Sequence, residues 1–302
     1  MTVGGVVTRA SWRTGRGDRE FGGMPAQIVV SMEPVSPSAI PPPQTGPAVN
    51  AAFLKAVDAV DPVLAKGLHD SPRYKPFTVT PVLDEQGRAP ITAGQSAWFG
   101  VSMLVDGYTA AVLAALHACA GHQIARTRYR VTGVRLRAQP YAELAASADA
   151  AADGWSFQLV TPVGFATGLG DGARRERPWP DAERVFGNLA RRWEAFAAGS
   201  PLPASVVAAI DDHLETVDGQ VRIVRHLIEP QQRNPEHQFR RGTVGVVSYR
   251  LASAREVPVE ARRGVDALAR FAGYAGFGDR TAMGMGYVRL RPSPGGRRGG
   301  GS

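Results

Sequence analysis

Residues 273–287 read Gly273-Tyr274-Ala275-Gly276-Phe277-Gly278-Asp279-Arg280-Thr281-Ala282-Met283-Gly284-Met285-Gly286-Tyr287. Five glycines in fifteen residues permit close backbone approach and dihedral angles that other residues resist. The stretch leads out of a helical pattern over 258–272 and into a closing strand over 283–291. No Gly-Lys-Ser/Thr follows it, so it is not a P-loop, and a dinucleotide fingerprint would run from strand to helix instead. Successive backbone N–H groups in such a loop can cradle phosphates. A plain helix-to-strand connection needs only one or two glycines. The stretch therefore reads as an anion-binding loop, with Gly276, Gly278, Arg280, Thr281, Gly284 and Gly286 as candidate contacts.

Working upstream, the second half shows a strand over 155–161 and a helix over 180–197. Pro180 and Asp181 open that helix, and Val185, Phe186, Leu189, Trp193 and Phe196 share one face. An inserted helix covers 203–214, and 221–229 with 238–251 form a strand pair. With the helix at 258–272 and the last strand, the order is βαββαβ. The first half repeats it. Residues 24–32 form a strand, 49–65 a helix, 75–83 and 95–105 strands, 108–119 a helix capped by Asp106, and 127–138 a strand. The expected fold is α+β, two tandem ferredoxin-like domains over 24–140 and 150–291. Residues 1–23 read as a disordered basic arm, one reading of which is an extension upstream of a start at Met24. Residues 292–302 read as a flexible tail.

The 302 residues carry 35 Lys/Arg against 27 Asp/Glu, a net charge of +8. Only Lys55, Lys66 and Lys75 are lysines. The charge is not spread evenly: residues 222–302 hold 15 arginines and 6 acids, while 140–221 hold 6 bases and 12 acids. Codon bias would not produce that division. A polyanion partner would. A second cluster, Arg126, Arg128, Arg130, Arg135 and Arg137, contains no acid. Its alternation on a strand puts arginines on one sheet face, where they can track a phosphate backbone. A merely solvated face is the alternative. One cysteine excludes a disulfide framework and a Cys-based zinc site, and fits a cytoplasmic location. No apolar run reaches the ~18 residues of a membrane span.

Residues 68–78 read Leu68-His69-Asp70-Ser71-Pro72-Arg73-Tyr74-Lys75-Pro76-Phe77-Thr78. His69 adjoins the turn-prone Asp-Ser-Pro and is therefore expected at the surface. An imidazole can take or give a proton near neutral pH, and Lys75 could hold charge near a strained phosphate. His117, Cys119 and His122 sit at a helix end without a metal-ligand spacing, and His213, His226 and His237 are scattered. Neither a metal nor a cofactor is expected.

Three segments resemble the CRISPR repeat-RNA-processing endoribonucleases of the repeat-associated mysterious protein superfamily. They are the loop from Gly276 to Tyr287, Arg241-Gly242-Thr243-Val244-Gly245 running on to Tyr249, and Tyr74 to Thr78 with a histidine six residues before the lysine. The resemblance spans Met24 to Arg291. It implies metal-independent cleavage of CRISPR repeat RNA by 2′-OH transesterification, with His69 as base or acid and Lys75 stabilising phosphorane charge. Some members add a tyrosine in the first helix, which this chain lacks. The second proton-transfer group is left open between Tyr74 and a lysine. Arg126, Arg128, Arg130, Arg240 and Arg241 join the glycine loop as expected RNA contacts. Expected partners are the repeat RNA and other CRISPR effector subunits, as monomer or homodimer. A non-catalytic RNA-binding subunit is the competing reading, and it leaves His69 and Lys75 unexplained.

Overall fold

The computed structural model describes residues 23–36, 44–71, 74–89, 93–168, 174–228 and 239–292. The arm, most of the tail and His237 lie outside them. The first half holds strands β1 (Ala26–Pro34), β2 (Phe77–Val79), β3 (Leu83–Asp84), β4 (Ala97–Met103), β5 (Gly121–Ile124) and β6 (Thr127–Ala138). Helices α1 (Gly46–Asp58), α2 (Pro62–Asp70) and α3 (Thr109–Ala118) connect them. The sheet order is β2-β4-β1-β6-β5, antiparallel throughout, with β3 also on β4. After α4 (Tyr141–Ala146), the second half holds β7 (Gly154–Val163), β8 (Phe165–Gly168), β9 (Arg174–Arg177), β10 (Leu214–Leu227), β11 (Phe239–Leu251) and β12 (Val288–Arg291). Its helices are α5 (Ala182–Phe196), α6 (Ala204–His213) and α7 (Val259–Ala275). The second sheet runs β10-β11-β7-β12. In both sheets the fourth strand of the βαββαβ unit lies beside the first, and the third lies between the first and the second. This is the tandem ferredoxin-like architecture.

Each sheet buries one face beneath its helices. Ile28, Val30, Phe99 and Val101 pack under Phe53, Val57, Leu68 and Leu116. In the second half Phe157, Leu159, Val247 and Tyr249 pack under Val185, Phe186, Leu268 and Phe271. Alternation in β1 and β7 produces these faces directly.

Several sequence readings need correction. The helix expected over 49–65 is two helices: Pro62 cannot continue α1, and Asp61 restarts the chain by accepting the Leu64 amide at 2.9 Å. Asp106 does not cap α3 but opens a 3₁₀ turn ahead of it. β10 starts at Leu214 rather than 221, with a bulge between Thr216 and Asp218 that breaks its alternation. The β8–β9 hairpin has no counterpart in the sequence reading.

The halves interlock through the 273–287 stretch. Thr78 Oγ1 donates to the Tyr274 carbonyl at 2.9 Å, and Asn50 Nδ2 to the Ala282 carbonyl at 2.8 Å. Ala282, from the second half, lies in the first core. Leu104, from the first, lies in the second core, where its carbonyl accepts from Tyr141 Oη at 2.9 Å.

Candidate active site

The interlock creates a cleft of about 530 Å³. One wall comes from the α2–β2 connection. His69 sits exposed in the last turn of α2, not beyond the helix as the sequence suggested, and Tyr74 and Lys75 follow half-buried. The Lys75 amine donates to the His69 carbonyl, which ties Lys75 to the last turn of α2. Burial holds the Lys75 ammonium below the usual lysine pKa, and Asp70 partly opposes this. The facing wall is Gly278 to Met283, and α5 supplies Asn188 and Arg192 between the walls. The cleft thus brings together all three expected catalytic residues with Gly278, Arg280 and Thr281.

The loop glycines have a folding duty that sequence alone did not separate from binding. Gly276, Gly278, Gly284 and Gly286 all have positive φ, between 68° and 81°. A Cβ on Gly286 would lie 2.0 Å from the Phe277 carbonyl oxygen, and one on Gly284 2.5 Å from Gly46 Cα. Only glycine lets the loop close on itself and on α1. The amides of Gly276, Phe277, Asp279 and Gly286 donate to carbonyls of Ala272, Gly286, Gly164 and Pro162. The Met283 amide likewise donates to the Arg280 carbonyl, so Gly278 to Met283 line the cleft with the Asp279 and Met283 amides already committed and Arg280 exposed.

Arg192 is 5% exposed. Its guanidinium donates to the Ala275 carbonyl and, at 2.6 Å, to Thr281 Oγ1, so it braces the loop from behind. Burial pushes its pKa down to about 10, with Asp279 and Tyr74 opposing. It remains a cation at neutral pH. Asp279 is itself engaged, accepting the Ala166 amide at 2.6 Å. The sequence signal for Asn188 and Arg192 is their helical spacing: both fall beside the apolar stripe of α5, where a polar residue is exceptional.

The other expected RNA contacts lie elsewhere. Arg126 sits in the β5–β6 turn, and Arg128 and Arg130 are exposed on β6. Ser31 pairs with Gly133 and Met32 with Val131, so Thr132 is an extra residue. This bulge restores the parity of β6, so Arg128, Arg130, Arg135 and Arg137 share the face opposite α1–α3, where Arg137 approaches Tyr274 of α7. Arg130 is tied to Glu33 at 2.7 Å. Arg240 and Arg241, at the start of β11, straddle Glu176 at 3.9 and 3.1 Å. Among the described residues lining the cleft, none of these arginines appears. A second cleft of about 420 Å³ lies between the halves, where Arg222 and Arg225 face Pro81 and Ala89. Three residues apart on an unbroken stretch of β10, these arginines carry no alternating pattern in the sequence of the kind seen in β6.

Among the described residues no group of three or more His, Cys, Asp or Glu side chains is placed to hold a metal ion, and no helix is long and apolar enough to cross a membrane. His122 is buried edge-on against Phe99, and burial lowers its pKa.

Residues 157–288 match the family model described as CRISPR-associated endoribonuclease Cas6, and residues 24–118 match the CRISPR Cas6 N-terminal domain. The chain belongs to the Cas6 family. It is similar to a Cas6 product complex at 25% identity and TM-score 0.72, covering 88% of this chain and 100% of that one. Thermus thermophilus Cas6 gives 25% identity and TM-score 0.65, with 89% and 99% covered. A Cas6-related protein from Pyrococcus furiosus, at 15% identity and TM-score 0.60 with 90% and 100% covered, shares the fold. No curated protein matches. Membership in Cas6 makes this an RNA-cleaving, CRISPR-associated enzyme. It also settles the fold reading, since the two matched segments divide between the two sheets.

Proposed function

We propose that this Cas6 family member processes CRISPR repeat RNA by a metal-independent transesterification in the 530 Å³ cleft. The ribose 2′-oxygen attacks the adjacent phosphorus, and the bond from phosphorus to the 5′-oxygen breaks. A proton leaves the 2′-hydroxyl and another reaches the 5′-oxygen, giving a 2′,3′-cyclic phosphate and a 5′-hydroxyl. One observation carries the reading: His69, Tyr74 and Lys75, distant from residues 278–283 in sequence, share one cleft with them.

His69 is accessible and takes or gives the proton. Lys75 faces the developing phosphorane charge, and the desolvation that lowers its pKa also makes its ammonium a better proton donor. Tyr74 is the candidate for the second proton transfer, and Arg280 anchors a neighbouring phosphate. Holding three reacting atoms in line between two fixed walls supplies a further large part of the rate.

The test uses labelled repeat RNA in EDTA. His69→Ala is expected to bind RNA and lose most cleavage, and a 2′-deoxy nucleotide at the cut is expected to block the wild type. Wild-type cleavage by the variant, or cutting of the deoxy substrate, overturns the assignment.

A further inference from the structure

Two polar side chains of α5, Asn188 and Arg192, end in the cleft one turn apart, and no step above uses them. Burying an amide or a guanidinium costs free energy unless its polar atoms are paired. Arg192 recovers most of this through Ala275 and Thr281, its Nε alone staying unpaired. Asn188 does not: its side chain is 6% exposed and its Oδ1 accepts no hydrogen bond. A leucine has nearly the same shape and would carry no such penalty. An acceptor kept unpaired in a catalytic cleft points to a donor that arrives with the ligand.

We propose that Asn188 is a substrate-contacting residue of the cleavage site, its Oδ1 accepting a hydrogen bond from a hydroxyl or amine of the bound RNA. The inference rests on reading the cleft as the cleavage site. Arg192 stands behind the contact as a braced cation, fixing loop and helix relative to each other. The donor is either a ribose 2′-hydroxyl or an exocyclic base amine, and both are common on RNA.

The experiment compares the full-length wild type with Asn188→Leu, Asn188→Ala and His69→Ala. Melting temperature, single-turnover cleavage and affinity for a non-cleavable RNA carrying 2′-deoxyribose at the cut are measured. Asn188→Leu is expected to melt above the wild type, while affinity or rate falls on the order of tenfold. Asn188→Ala, which cannot overpack the site, should show the same functional loss. Nucleotides flanking the cut are then replaced singly, by 2′-deoxyribose in one arm and by bases lacking the exocyclic amine in the other. One replacement should weaken the wild type and leave Asn188→Leu unchanged, and that identifies the donor. Both Asn188 variants melting lower yet cleaving like the wild type would make the residue structural and overturn the inference. Equal cleavage by wild type and His69→Ala would instead overturn the site itself.

Discussion

The side-chain amine of Lys75 donates to the backbone carbonyl of His69, so one of the two residues expected to share the chemistry also braces the backbone of the other. Replacing Lys75 therefore removes both a charge and a brace. Lys75→Ala is expected to lower single-turnover cleavage by about 10²–10⁴-fold. Lys75→Arg keeps a cation that does not titrate below about pH 12. Burial lowers the lysine pKa, so wild-type activity that needs the ammonium fades at a pH below the usual lysine value. In Lys75→Arg that alkaline limb should move upwards. A pH–rate profile with the same alkaline limb in both proteins would remove Lys75 from the titrating machinery.

Glycines of a single sequence motif should respond with opposite sign. Gly286 has φ of +72°, and a Cβ there would meet the Phe277 carbonyl at 2.0 Å. Gly286→Ala is expected to cost about 1–3 kcal/mol or more in urea unfolding. Gly273 lies in the last turns of α7, and a Cβ added there would meet nothing within 4 Å. Gly273→Ala should stabilise the protein by about 0.5–1 kcal/mol. A loss in both would mean that the motif acts through something other than backbone geometry.

His226 should make the fold acid-sensitive. It is 4% exposed, and burial pushes its pKa down to about 4. The unfolded chain binds a proton near pH 6.5, above the folded value, so stability is lost as pH falls from about 6.5 towards 4. The loss approaches about 3 kcal/mol over that window. Urea midpoints measured across it should fall less steeply for His226→Gln than for the wild type.

The β6 arginines should govern binding and not chemistry. Removing Arg128, Arg135 and Arg137 together is expected to flatten the salt dependence of RNA affinity, each lost phosphate contact removing about 0.7 from the log–log slope. Cleavage at saturating RNA should hold, because these side chains lie off the cleft. An unchanged slope would place the RNA path elsewhere, with Arg222 and Arg225 the next surface to probe.

Much of this was legible in the chain because local patterns agreed with the tertiary outcome. The alternation of β1 and β7 and the apolar stripe of α5 show which faces are buried. His69 and Lys75 were readable as a pair because six residues separate them. Their meeting with Thr281 was not, because the roughly two hundred intervening residues carry no local record of a contact. Asn188 and Arg192 were hidden because a helical pattern is read from its apolar members, and a polar residue beside them looks like the edge of the stripe. The glycines were ambiguous for a physical reason: one backbone freedom serves both a tight closure and an anion, and only the partners of each amide distinguish the two.

The Gly284–Gly46 approach has a consequence for how such a chain can diverge. The two units share one topology, yet each lends a different connection to the cleft. The first gives its opening crossover, the second its closing turn. The proposed cleavage cleft therefore rests on a joint between unlike parts of like units, a joint tight enough that neither side can gain a methyl group there. Exchanging one half between relatives would transplant half of an active site together with a mould for the other half. Such a chimera should fold its sheets and still fail to assemble the cleft, unless the two mating surfaces are carried across as a set.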